Sequence, residues 1–443
     1  MTSQATRGPS VDVLRRRAIV AALFGNVVEW LDFVAFGLLA SIIAAHFFTG
    51  PNDTGGAAPL LLTFATFGVG FLARPLGGLV IGHYADRRGR KPALILSISL
   101  MGVSTALIAF IPGYDVIGLG APLLLVAARL TQGFAAGGEW GGAASFLVEW
   151  APASRRGLFG SFHIATIFVG TLLGSVLIAG MSSAFGDGFM ADWGFRIPFL
   201  IGGLLALVAL PFRARAEETP LFTEQQERES TEPSSVPPVA LKRGQLWLKL
   251  VHTFFLVGMQ SAAVYTFTSY FPSFLARYVD AGGGKHVGAG QALWSNTVAS
   301  LVVIVVVLSS GALSDRVGRK PGMLAGCLLV LVLTYPLMQV LLATHSLLVV
   351  VLVQSALAGS AALFLGCMPA VLVERFPRRI RVTGLSSAYN LASAVFGGFA
   401  PLIATSLIAA TRMPVSAGFW VIAAALLSTV AVLVLRETRG AEI

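Results

Sequence analysis

Apolar residues in this chain come in long unbroken blocks separated by short polar stretches. They lie at roughly 18–48, 59–83, 93–112, 117–149, 158–182 and 197–213, then at 246–276, 289–313, 322–342, 345–373, 382–410 and 414–436. Strict alternation, the mark of a half-buried strand, is absent, and most blocks reach the length of about 20 residues that an α-helix needs to cross a bilayer. The pattern predicts twelve transmembrane helices. Between the sixth and seventh blocks, 214–245 is rich in Glu, Ser and Pro and reads as a solvated linker. The expected organisation is an N-terminal segment 1–17, a six-helix bundle 18–213, the linker 214–245, a second bundle 246–436 and a tail 437–443.

The two halves repeat each other. "GHYADRRGRKP" at 82–92 recurs as "GALSDRVGRKP" at 311–321, and "EWAPASRRGLFGS" at 149–161 aligns with "ERFPRRIRVTGLS" at 374–386. Both halves also end alike, in Glu218-Thr219 and Glu437-Thr438. The repeats run in the same sense, so the fold class expected is all-α, two six-helix bundles related by a pseudo-two-fold axis along the membrane normal. A cavity between two such bundles opens to either side by rocking.

Composition agrees with lipid as the solvent: 56% of residues are hydrophobic and only 12% charged, where soluble domains carry about a quarter. The net charge of +10 would raise nucleic acid as a partner in a soluble protein. Here the Lys and Arg residues concentrate on one side of the spans. Only Arg196, Arg277, Lys285 and Arg412 fall on the other side, with Arg74 and Arg129 inside spans. The positive-inside rule then puts both termini in the cytoplasm of a multi-pass cell-membrane protein, the inner membrane in a bacterium, and leaves nucleic acid no role. The first apolar block is too long for a signal peptide and is expected to stay as a helix. Cys327 and Cys367 both lie inside apolar blocks and are expected to be inert packing residues.

Five ionisable residues interrupt the first four blocks: Glu29, Asp32, Arg74, Arg129 and Glu139. Such residues within spans usually face a bundle interior or a wet cavity. Glu29 and Asp32 are one helical turn apart on one face. Arg74 and Arg129 fall near mid-membrane by helical rise, Glu139 nearer the cytoplasm. Low dielectric raises a carboxyl pKa and a neighbouring guanidinium lowers it, so an acid balanced between them binds and releases a proton near neutral pH. Arginine stays charged and offers a fork that fits a carboxylate. The expectation is that Asp32 carries the proton, with Glu29 and Glu139 in support. Arg129, freed when the acid protonates, then meets the solute's anionic group. A static ion pair between the first and fourth helices is the alternative role for Asp32. Arg74, before Pro75 and Gly77-Gly78, either binds solute or satisfies carbonyls freed by the proline.

The D-R-x-G-R-K loop, present twice, resembles the major facilitator superfamily. "GNVVEWLDF", "FLARPLGG", "RLTQGFAAGGEWGGAASFLVEWAPASRRG", "WGFRIPFLIGG" and "EETPLF" resemble its metabolite:proton symporter branch, and the likeness covers nearly the whole chain. The branch usually has tyrosines where this chain has Leu31 and Phe36. The resemblance implies that Asp86, in a loop with Arg87, Gly89 and Arg90, caps the eleventh helix of the other bundle near Thr383–Gly384. Asp315, with Arg316, Gly318 and Arg319, would do the same for the fifth helix near Gly157. A carboxylate there offsets the positive end of the helix, and glycine permits the tight turn. Glu149 and Glu374 would pair with basic residues of those loops, with Arg156 and Arg381 completing a gating set that forms when the bundles close on the cytoplasmic side.

The C-terminal half offers amides and hydroxyls in place of deep charges: Gln260, Tyr265, Asn296 and Tyr389 are the residues expected to shape solute choice. Ser269, Tyr270, Gln354 and Asn390 belong to the same polar set. "GFAAGGEWGG" lacks the preceding strand and following Lys of a nucleotide loop, and reads as close helix packing. No catalytic constellation or metal-ligand spacing appears. The function expected is proton-coupled symport of a small organic acid or zwitterion by a functional monomer, driven by the proton gradient with no cofactor. A proton-coupled efflux antiporter and a non-transporting membrane sensor are the alternatives.

Overall fold

A computed structural model describes residues 11–49, 58–215, 243–280 and 286–441. The linker expected at 214–245, and with it Glu218-Thr219, falls almost wholly outside the described residues. So do the side chains of Glu29, Asp32, Asp86 and Arg90, whose backbones are helical.

The described chain is helical apart from short turns and one isolated antiparallel bridge, Asp280 to His286. In the first half the spans are Val11–Leu38 continued by Ala40–Phe47, then Ala58–Arg88 and Arg90–Phe110. The fourth is Gly120–Gly137 followed by Glu139–Glu149; the fifth is Arg156–Phe189, ending in a π-turn at Met190–Gly194; the sixth is Arg196–Arg215. In the second half the seventh span runs through Arg243–Val264, the π-turn Tyr265–Tyr270 and Phe271–Tyr278. The eighth to tenth are Ala289–Val317, Arg319–Ala343 and Leu347–Arg375. The eleventh comprises Arg381–Ala392, the π-turn Ser393–Gly398 and Ala400–Thr411; the twelfth is Phe419–Val434.

Helices overrun the apolar blocks at several ends, because backbone hydrogen bonding continues into the polar headgroup zone after side-chain hydrophobicity has stopped. The first helix thus begins at Val11, and the fifth continues well past 182. The fourth span departs from the pattern in the other direction: one apolar block becomes two helices that meet at Gly138.

Glycine sets how closely the spans of the N-terminal half approach. A Cβ on Gly133 would stand 1.7 Å from the carbonyl oxygen of Gly70, and one on Gly137 would stand 2.1 Å from that of Arg74. The second and fourth spans therefore cross backbone to backbone, the packing that "GFAAGGEWGG" predicts, and van der Waals contact of this kind is what holds helices together in lipid. That crossing brings the helix carrying Arg74 against the helix carrying Arg129. Between the halves, the second span meets the eleventh where Gly398 faces Phe71, and the fifth meets the eighth where Gly311 faces Gly157 and Ser161. Gly89 and Gly318 turn the chain between spans at φ 103° and 104°, a conformation that side-chain-bearing residues avoid.

Candidate functional site

Arg74 and Arg129 are both buried, 3% and 0% exposed, and both meet aromatic rings. The Arg74 guanidinium carbon lies 4.2 Å from the Phe71 ring centroid, 4.4 Å from that of Phe33 and 5.9 Å from that of Trp30. That of Arg129 lies 4.3 Å from Phe36, 4.6 Å from Phe33 and 5.3 Å from Phe67. Phe33 is therefore shared by both cations. Ring faces stabilise a desolvated cation electrostatically while leaving its in-plane N–H groups available for an anion. Arg129 Nη1 donates to Gln132 Oε1 at 2.8 Å, and Gln132 Nε2 donates to the Thr105 hydroxyl at 2.8 Å. Among the described residues, Nε of Arg74 is buried with no hydrogen-bond partner.

The second half closes over this cluster. Tyr265, in the π-turn of the seventh span, stands edge-on to Phe71 at 4.9 Å and to Phe67 at 6.0 Å. Its ring also faces that of Trp30, 6.4 Å away and 29° from parallel. Nearer the loops, Tyr389 stacks on Trp140 at 3.7 Å and 11°, and Gln260 donates to the Tyr389 hydroxyl at 3.3 Å. Glu139 is buried at the start of the helix after the Gly138 break, next to Trp140. Asn296 stands apart from this group. It donates to Ser175 across the interface at 2.9 Å and accepts from Gln354 at 3.0 Å.

The loop-bearing face is closed. Asp315 accepts hydrogen bonds from the backbone N–H of Gly157 at 2.8 Å and of Leu158 at 2.9 Å, at the start of the fifth span in the other half. Arg319 pairs with Asp315 at 2.7 Å and with Glu374 at 3.2 Å. Glu149 pairs with Arg381 of the other half at 2.7 Å, and Asn390 Nδ2 donates to the Gly137 carbonyl at 2.5 Å. Arg156 donates to the Ala441 carbonyl, while Arg87 and Arg316 are exposed. Glu437 ties the tail to the ninth span, accepting from the N–H groups of Arg319, Lys320, Thr438 and Arg439. Partial burial pushes its carboxyl up, and the four N–H donors together outweigh this and hold it below the usual value. Thr438 donates to Glu374 at 2.6 Å.

On the opposite face a pocket of about 300 Å³ opens between the ends of the first, fifth, seventh and eighth spans. Its walls are mainly apolar, Leu38, Ile42, Met190 and Pro272 among them, and Asp187 is the one charged group among the described residues that line it. The molecule is thus sealed at the loop face and recessed at the other.

Sequence reasoning found the two arginines but missed the aromatic enclosure around them. A signal was there: Phe67, Phe71 and Arg74 follow i, i+4, i+7 spacing, one face of a helix, and Phe33 and Phe36 are one turn apart. The Trp140–Tyr389 stack and the Glu437 clamp were also unforeseen, although the repeated Glu-Thr pair pointed at the latter.

Comparison with known proteins adds to this geometry. The family model described as "Sugar (and other) transporter" matches residues 17–237, and that of the Major Facilitator Superfamily matches 283–442. A citrate-proton symporter of Klebsiella pneumoniae is 36% identical over 416 residues, 92% of this chain and 89% of the relative. An alpha-ketoglutarate permease of Escherichia coli (strain K12) is 35% identical over 396 residues, 89% of this chain and 88% of the relative. A proline/betaine transporter of the same strain is 32% identical, covering 96% of this chain and 84% of the relative. Among solved structures, a proton:xylose symporter superposes with a TM-score of 0.78 at 18% identity, covering 97% of this chain and 98% of that one. At that identity the likeness concerns the fold alone.

Proposed function

Because the chain belongs to the major facilitator superfamily, in its metabolite:proton symporter branch, and is a membrane transporter rather than an enzyme, we propose that it imports a small organic acid or zwitterion together with protons. The observation that carries this reading is the pair of guanidiniums buried against aromatic rings inside the N-terminal half, in a half whose spans also hold the buried Glu139 and, by sequence, two carboxylates on the first helix. Buried cations of this kind mark solute or ion pathways in membrane proteins.

In this reading the loop face is cytoplasmic, as the distribution of basic residues favours, and the recessed face opens outward. Solute enters from the recess and meets Arg74 and Arg129. A proton taken up by Asp32, or by Glu29 or Glu139, lowers the negative charge around the arginines and releases a guanidinium to the solute's carboxylate. Neutralising both partners reduces the cost of moving charge through low dielectric, which couples the two binding events. Asp315, Glu149, Arg381 and the Glu374–Arg319 pair act as the latch that breaks when the bundles rock. The working unit is a single chain, and the proton gradient supplies the energy with no cofactor.

The test is uptake by the purified protein in proteoliposomes, with and without an imposed proton gradient, across labelled carboxylates and betaine. Asp32→Asn is expected to abolish proton-driven accumulation while solute exchange at equal concentrations continues. Accumulation retained with normal coupling would remove Asp32 from the proton pathway.

A further inference from the structure

Trp30 from one half and Tyr265 from the other face each other across the bundle interface, centroids 6.4 Å apart and 29° from parallel. Both rings are buried. A flat ring placed between two others needs roughly 3.5 Å on each side, about 7 Å in all. The two buried rings line the interface from opposite sides, and parting of the bundles opens the space that a flat solute needs between them. Arg74 borders the same space, its guanidinium carbon 5.9 Å from the Trp30 centroid and 4.2 Å from Phe71, whose ring meets the Tyr265 ring edge to face. Its buried Nε has no hydrogen-bond partner among the described residues. A buried donor left in that state costs free energy, which an incoming acceptor recovers.

We propose that the solute is a monocarboxylate with a flat, unsaturated body, seated between Trp30 and Tyr265 with its carboxylate on Arg74. This rests on the symport reading above and narrows it.

Charge argues for one carboxylate over three. By sequence the first four spans carry Glu29, Asp32 and Glu139 against Arg74 and Arg129, one negative charge in excess before any proton binds. Neutrality with a single carboxylate needs two protons, which three acids can take up, whereas a tricarboxylate needs four. A tricarboxylate would leave the site strongly negative in low dielectric. The walls argue the same way. Phe33, Phe36, Phe67 and Phe71 offer no hydroxyl to a hydrogen-bonding body, whereas ring faces suit an unsaturated one. The route in agrees too. The recess on the opposite face is mainly apolar, its charged residue Asp187 is an acid, and its Leu38 and Pro272 lie two residues beyond Phe36 and Tyr270. Such an entrance repels a polyanion more than a monoanion with an apolar body.

The full-length protein in proteoliposomes, under an inward proton gradient, is offered benzoate, cyclohexanecarboxylate, acetate, succinate, citrate and betaine. Benzoate uptake is expected to exceed that of cyclohexanecarboxylate, which has the same charge and carbon count but a puckered ring, by at least about tenfold. The margin over citrate should be larger. Trp30→Leu is expected to raise the benzoate KM about tenfold and leave that of acetate, which has no body to stack, within about twofold. Trp30→Phe, which keeps an aromatic face, should fall between. Preference for citrate, succinate or betaine, or equal uptake of the flat and puckered acids, overturns this proposal and leaves symport standing. Failure of all six to move with the gradient overturns both.

Discussion

Arg129 on the fourth span and Gln354 on the tenth stand at equivalent points of the two halves, each twenty residues ahead of the glutamate, Glu149 or Glu374, at the end of its span. Arg74 and Val303 are likewise equivalent, each twelve residues ahead of the loop aspartate, Asp86 or Asp315. One framework therefore holds two different interiors. Gln354 is fully engaged in neutral hydrogen bonds, accepting from Ser295 and donating to the Phe267 carbonyl and to Asn296. Arg129 brings a permanent charge to the same depth and meets three phenylalanine rings. The repeat supplies the gate at the loop face from both halves, while the charge chemistry is confined to one. A buried charge is costly, and a rocking machine needs only one half to bear that cost if the other presents polar groups to the same cavity.

The comparison breaks most sharply if the N-terminal half is made to resemble the C-terminal one. Arg129→Gln keeps a polar amide and removes the charge. Loss of one member of a buried, hydrogen-bonded charge set typically costs 2–5 kcal/mol, so uptake should fall by about 30-fold or more. Helix content and protein yield should stay close to wild type, because Gln354 already shows that the framework accommodates an amide at this point. Transport within about threefold of wild type would mean that the difference between the halves is not what moves solute.

A smaller effect is expected where the halves are alike. Asp315 accepts two backbone N–H groups from the opposite half while paired to Arg319. Hydrogen bonds to a charged acceptor exceed neutral ones by about 1–2 kcal/mol, so Asp315→Asn should shift the balance away from the closed loop face by roughly tenfold. Amide exchange at Gly157 and Leu158 reads this directly. Unchanged protection there, with transport also unchanged, would reduce the aspartate to a helix-end ornament with no part in closure.

How much of this was legible depended on whether the physics is local. Spans showed because crossing hydrocarbon demands a contiguous apolar run, and the five charges deep in the first four runs showed because the others, Glu149, Arg213, Lys249 and Arg436, fall at or near the ends of theirs. The repeated loop showed because its Gly89 and Gly318 must adopt a backbone that few residues tolerate. The break at Gly138 was invisible: within a glycine-rich stretch, sequence does not say which glycine interrupts the helix. The aromatic enclosure was hidden for a different reason. In lipid, Phe33 or Phe71 suits an outward face as well as an inward one, so hydrophobic patterning does not separate them; only a long-range crossing set by Gly70, Gly133 and Gly137 does. The partner of Glu149 depended in the same way on how the halves meet.

The tail gives the finest test of how alike the two gates are. Glu437 is held below its usual carboxylate value of 4.5 by four backbone N–H donors that outweigh its burial. A group whose folded pKa is depressed stabilises the folded form above the unfolded pKa, and that contribution disappears as pH falls through the lowered value. Protection of the Arg319 and Lys320 amides should therefore be flat from neutrality down to the usual carboxylate value and drop only below it. Glu437→Gln should weaken that protection at every pH and abolish the acid transition. The loss at neutral pH should be no more than a few-fold, since the Glu437 side chain is exposed and water competes for the donors. A transition that survives in Glu437→Gln would assign it to the carboxylates held by the Arg319 side chain, and would make the tail a passenger of the gate.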